Sequence, residues 1–350
     1  MIAVVLAVFA ALLNNIGVNL QKLAWTKKQS NAIRGSVYRT YWLLGMVGIV
    51  LAAIFDFVAL AFGPQSVIAP IGSLTMVANA LIAPWMHGEK LHPQVLKATA
   101  IIIVGCATAV ASASHSNNIC DVDKLFELYF TGRFALYLAV VGTIIVSLIL
   151  FVKRAERLKA ELGEESAEYQ KVFRLHRISY AGVSGIFGAQ SVLFARTVDL
   201  LFIGSTRGEA IFLTYWETYM VLFCLVSCIV LQLYWLNQGL ARFESLYNVP
   251  IFTSTWIVGT VLGGGVFYGE FYDFTWAQWV FFPLGIILCC IGVFYLAQGT
   301  DADDQVEGLG GSHNALDGDG VDGESDQFQN DSQKVDMLGL PLKKGRVAMT

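Results

Sequence analysis

Charge is what this chain has least of. Asp, Glu, Lys and Arg make up 14% of its 350 residues, where a soluble globular chain carries about 25%. The shortage is deeper than that figure, because many of the charges gather in two places, Lys153–Arg177 and the stretch after Thr300. What remains is a series of long apolar runs, which excludes a soluble domain and requires a multispanning membrane protein. Prolines are also few, seven in all, yet three of them (Pro64, Pro70 and Pro84) fall in one run between Phe62 and Pro93. The six cysteines make no disulfide framework. Cys106, Cys224, Cys228, Cys289 and Cys290 lie in apolar runs and only Cys120 in a loop, so they are expected to be small packing side chains. No nucleophile–base pair, phosphate-binding loop or membrane-protease signature is present. Neither an enzyme nor a cofactor is expected, and nothing points to nucleic acid.

The apolar runs predict an all-α polytopic protein of nine transmembrane helices: Ile2–Leu20, Tyr41–Phe62, Val67–Met86, Val95–Ala113, Phe134–Val152, Ile178–Thr197, Phe212–Trp235, Ile251–Phe271 and Trp279–Gln298. No basic residue precedes the first run and five follow it (Lys22, Lys27, Lys28, Arg34 and Arg39), the pattern of an uncleaved first helix. With nine helices, one side of the membrane holds 19 Lys and Arg, or 15 without the tail, and the other holds four, Lys124, Arg133, Arg196 and Arg207. The basic side is cytoplasmic by the charge rule for short loops, so the amino end is expected outside and the carboxyl end inside. The domain plan is a transporter unit over 1–298, made of a first half 1–152, a polar cytoplasmic loop 153–177 and a second half 178–298. Residues 299–350 are expected to form a disordered acidic cytoplasmic tail, since they lack the apolar residues to fold.

Two stretches repeat a pattern. Pro70 precedes Gly88-Glu89 in the third helix, and Pro250 precedes Gly269-Glu270 in the eighth, with nearly the same spacing. Charge counting places Glu89 and Glu270 on opposite faces, as an inverted repeat of five helices demands, and paired interrupted segments point to a transporter's central site. Glu89 and Glu270 then mark the motif ends. As one of several acidic residues on the outer side, with Asp199 among them, Glu270 is expected to be a solvated loop charge.

The run from Asp56-Phe57 through Phe62-Gly-Pro64 and Pro70-Ile-Gly72 to Gly88-Glu89-Lys90-Leu91 resembles the NIPA magnesium-transporter family, within the drug/metabolite transporter superfamily. Ser184 to Arg196 and Pro250 to Glu270 are similar to its later helices. The resemblance covers roughly residues 2–298. It implies a nine-helix carrier for magnesium and other divalent cations at the plasma membrane or endosomes, and a homodimer is allowed for. The family pattern has a glutamate three residues before an Asn-Phe pair; here those positions are Ala53 and Asp56. One carboxylate is thus replaced by another, one turn along the helix.

Asp56 is the foremost candidate for the ion, because an ionisable residue at membrane depth costs on the order of 3 kcal/mol and is functional by default. Magnesium takes hard oxygen ligands and keeps several waters, so one carboxylate with amide and hydroxyl oxygens suffices. Asn14, Asn15 and Asn19 in the first helix, Ser73, Thr75 and Asn79 in the third, Gln190 in the sixth and Glu217 near the outer end of the seventh are the further candidates. For each polar residue, helix–helix hydrogen bonding is the competing role. Two other functions fit the architecture. One is an organic-solute or nucleotide-sugar carrier, which the scarcity of Lys and Arg in the later helices disfavours for phosphorylated substrates. The other is a non-transporting membrane scaffold.

Overall fold

The computed structural model describes residues 2–29, 35–87, 93–113, 122–206, 215–243 and 245–313. They form eleven helices and, among the described residues, no strand. These are α1 (Ile2–Gln29), α2 (Gly35–Phe62), α3 (Gln65–Gly72), α4 (Leu74–His87), α5 (Pro93–Ser112) and α6 (Val122–Tyr129), followed by α7 (Gly132–Leu162), α8 (Ala167–Thr206), α9 (Trp216–Arg242), α10 (Ser245–Phe267) and α11 (Trp276–His313). Nine spans among the described residues are long and apolar enough to cross a bilayer, with α3 and α4 together supplying one of them.

That shared span breaks where its chemistry dictates. Pro70 has no N–H, and its carbonyl accepts from both the Ser73 N–H at 3.0 Å and the Ser73 hydroxyl at 2.6 Å. The tightened turn ends α3, and α4 starts at Leu74. The third span, expected as one run from Val67 to Met86 with breakers in it, is found as two short helices.

Elsewhere the helices outrun the apolar runs that announced them. The expected polar loop 153–177 is helical on both sides, ending α7 and opening α8, and only residues 163–166 link the two. Gly163, at φ +83°, makes the stop in a conformation that costs other residues strain. Water satisfies the outward faces of these extensions, so polar sequence did not stop the helix. At the other end Thr131 caps α7 by accepting the Phe134 N–H. Likewise α11 runs to His313, past the point where the acidic tail was expected to begin. The tail from residue 314 onward, including its Asp/Gly-rich stretch, lies outside the described residues, as does Glu89.

Small residues set the helix pairings, as expected where no hydrophobic force acts between helices in lipid. A methyl at Gly17 of α1 would stand 2.7 Å from the Gly45 carbonyl of α2, so the two backbones touch. Gly105 of α5 and Gly285 of α11 meet in the same way, each against the other helix's backbone. Besides α1 with α2 and α5 with α11, α8 packs on α9 and α10, α1 on α3 and α4, α10 on α11, and α3 on α10. α3 is buried from Gln65 through Ile71. It forms the axis of the main core, surrounded by Ala7, Ala59, Leu60, Cys106, Ala109, Ile257, Val261 and Ile286 from five other helices. At its end, Gly72 lies against the Trp256 ring of α10, with room for no side chain.

Candidate functional site

Asp56 lies on α2 in line with Ala52 and Leu60, four residues to either side, and both of these are buried. Its own side chain is exposed. Among the described residues it has no hydrogen-bond or ion-pair partner, so its charge is uncompensated by the protein.

The register of α1 against α2 fixes how far this carboxylate stands from the asparagines. The Phe9 and Phe55 rings meet edge to face at 5.1 Å, and Gly17 sits on Gly45. Asp56 is therefore level with residue 8 of α1, seven residues from Asn15, a separation of about 10 Å along the axis. Asn19 is one further turn away. The structure does not gather Asp56 and the asparagines into one coordination sphere; it sets them in sequence.

The asparagines form a group of their own. The Asn15 amide donates to the Ala11 carbonyl at 2.7 Å, and the Asn19 amide donates to the Asn15 carbonyl at 2.9 Å and to Asn79 Oδ1 at 3.1 Å. Those donations turn the amide oxygens of Asn15 and Asn19 away from the helix backbone. Thr75 lies one turn before Asn79 on the same face of α4. Ser73, by contrast, is buried and its hydroxyl serves the break between α3 and α4.

Gln190 belongs elsewhere. Its amide donates to the Tyr137 hydroxyl at 2.7 Å, and it lines a 370 Å³ cavity between α7, α8 and α10 with Ser254 and Thr255. Gln190 Oε1 and Ser254 Oγ are buried without a partner. A larger cavity of 460 Å³ between α10 and α11 is lined by Val258, Ile286, Ile287, Ile291 and other mostly apolar side chains, and offers a cation nothing. Glu217 stands in the first turn of α9, half-buried, with Oε2 unpartnered.

The expectation for Glu270 is overturned. Rather than a solvated loop charge it is 7% exposed. Its two carboxylate oxygens accept the Gln65 and Ser66 N–H groups, each at 2.8 Å, and Oε1 also pairs with Arg196 of α8. Pro64 has no side chain that can cap α3, so Glu270 caps it from the far end of the sequence, where a negative charge suits the helix N-terminus. Two glycines permit this: Gly269, at φ +69°, turns the chain back, and Gly264 leaves space beside Oε2. Asp199 is likewise buried, at 2% exposed, with Oδ2 unpartnered.

Around the ion pair the Arg196 guanidinium lies 4.3 Å from the centre of the Tyr268 ring. The Tyr268 hydroxyl donates to the Leu193 carbonyl and meets Thr197 Oγ1, which also meets the Tyr129 hydroxyl at 2.7 Å. Sequence reasoning missed Arg196, Gln65, Ser66 and Thr260 as a buried set, and Tyr137 as the partner of Gln190. The available signal was the apolar run Leu200 to Ile203, which carries α8 past Arg196 and so places that charge inside a helix.

Nine membrane spans among the described residues, with lone polar and charged groups inside them, define a multi-pass integral membrane protein built as a transporter. The model of the family described as "Magnesium transporter NIPA" matches residues 1–302, and the chain belongs to that family. Among its relatives in Arabidopsis thaliana, probable magnesium transporter NIPA8 is 27% identical over 86% of this chain and 71% of its own length. Probable magnesium transporter NIPA1 is 22% identical over 88% of each chain, and NIPA2 is 24% identical over 76% of this chain and 74% of its own. The relatives are named as transporters, not as enzymes. No solved structure matches the chain.

Proposed function

We infer that the chain carries Mg2+ across the membrane by alternating access, and that Asp56 is the residue that draws the ion into the bundle. The observation that carries this reading is the exposed, unpartnered carboxylate inside the apolar span Val37–Phe62. A charge at that depth is retained at a cost, and nothing in the surrounding protein neutralises it. The ion then passes to the amide oxygens of Asn15, Asn19 and Asn79, which bind it through its remaining waters. The names of the relatives agree with magnesium as the cargo.

An inverted repeat is supported by matching pairings. α1 packs on α2, and on α3 with α4, as α8 packs on α9 and on α10. The elements that meet across the halves, α3 with α10 and α5 with α11, occupy equivalent places in the two copies. The excess of Lys and Arg in the loops after the first, third and fifth spans supports an outside amino end.

The test is Mg2+ uptake into proteoliposomes containing the purified full-length chain, followed with an entrapped magnesium dye. Asp56→Asn is expected to cut the initial rate by about tenfold or more, the loss of one charged ligand. Equal rates in the two preparations would sink the reading.

A further inference from the structure

Four residues are joined by hydrogen bonds at the start of α3, and three of them carry a side-chain oxygen without a partner. Ser66 Oγ, Gln65 Oε1 and Thr260 Oγ1 are all buried without a hydrogen-bond partner, on residues that are each 0% exposed. The Gln65 amide donates to the Thr260 carbonyl at 2.9 Å, which holds the two residues together. One turn on from Thr260, Gly264 is closely packed: a methyl there would lie 3.1 Å from Glu270 Oε2 and 2.9 Å from Gln65 Cβ, so the glycine lets both side chains come up against α10. The fourth oxygen is Glu270 Oε2 itself. It accepts only the Ser66 N–H, and a carboxylate oxygen accepts two bonds.

Buried oxygens without donors are costly, and native proteins leave few of them. Here the unpartnered groups are hard acceptors on residues hydrogen-bonded to a carboxylate or to one another, the donor set that a divalent cation of the magnesium or calcium type prefers. We propose that Glu270, Ser66, Gln65 and Thr260 form a divalent-cation site, separate from Asp56, and that the Arg196 guanidinium holds the cation's place in this structure. The proposal rests on the reading of the chain as a Mg2+ carrier.

Arg196 has the marks of a guest. It reaches Glu270 through Nη1 and the Tyr268 ring through its face, while its Nε has no partner. A second seat stands one turn along the same helix, where Asp199 Oδ2 is buried and unpartnered. When a divalent ion takes Glu270, the guanidinium moves to Asp199 and neither carboxylate is left unpaired. Because Gln65 and Ser66 belong to the first half while Arg196, Thr260 and Glu270 belong to the second, ion binding exchanges the contact that ties the halves together.

The experiment measures Mn2+ binding by electron paramagnetic resonance, with Mg2+ as competitor, on the full-length protein purified in detergent. All variants are made in an Asp56→Asn parent, so that the α2 carboxylate does not contribute. Ser66→Ala and Thr260→Val remove oxygens that bond to nothing in the protein, so folding is unaffected. Each is expected to weaken binding by about tenfold, a typical loss for a metal-site oxygen. Glu270→Gln is expected to abolish binding and Arg196→Gln to tighten it, since the resident cation is gone.

Unchanged binding in Ser66→Ala and Thr260→Val would overturn the proposal, showing that those oxygens hold water. Parallel loss in Arg196→Gln and Glu270→Gln, both folded, would also overturn it, because a purely structural ion pair behaves that way. Absence of Mg2+ flux in wild-type proteoliposomes would sink the transport reading instead, and leaves the binding result to be judged separately.

Discussion

Asp56 and Glu270 are two carboxylates in membrane spans or beside them, and their surroundings assign them opposite behaviour. Asp56 has no partner and an exposed side chain, so Asp56→Asn removes a charge without breaking a bond. The variant is expected to fold with an unchanged melting temperature in detergent while flux falls; a large loss of stability would show that Asp56 holds the bundle together. Glu270→Gln leaves the Arg196 guanidinium buried without its counter-charge. That is expected to cost about 3 kcal/mol or more and to lower the melting temperature clearly. Asp56 was legible in the sequence because it is the lone charge in a long apolar run. Glu270 and Arg196 were not, because each stood near an expected helix end, where a charge reads as solvated. Their pairing joins residues 74 positions apart, and the cap on α3 spans 205. No local pattern encodes contacts of that range.

At the scale of the element, the pairing of α5 with α11 depends on side chains that are missing. A methyl on Gly105 would stand 2.6 Å from the Cys289 backbone nitrogen, and neither helix can yield without moving as a whole. Gly105→Ala is expected to destabilise the protein by about 1–3 kcal/mol, read as a lower midpoint in chemical or thermal unfolding. Gly142 of α7 is the control, since nothing lies within 4 Å of the place its methyl would take. There the same change is expected to be neutral or slightly stabilising. The helices themselves were legible from apolar run length, and Pro70 pointed to the broken third span. Their true ends were not. α7 and α8 carry on through polar sequence because an amphipathic or solvated helix needs no apolar run, only the absence of a breaker, and Gly163 is the first strong one.

For the whole molecule, the distribution of Lys and Arg predicts an orientation that can be checked directly. An epitope at the amino end is expected to be reached by antibody on intact cells, and one at the carboxyl end only after permeabilisation; the reverse pattern would refute the outside amino end. The architecture has a further consequence, for how the chain enters the membrane. The spans Gln65–Ile82 and Tyr247–Phe267 have a mean hydropathy of 1.4, against 2.7 for Gly132–Leu162. The two weakest membrane-seekers are, with Ala167–Ser205, the spans most covered by other helices, because a helix that turns half its residues to protein has less need to please lipid. Neither is well equipped to leave the insertion machinery alone, and each must wait for neighbours to shelter Gln65 or Asn248. Damage to the helices that cover them is therefore expected to surface first as a chain retained and degraded at its site of synthesis, before any change in what it transports.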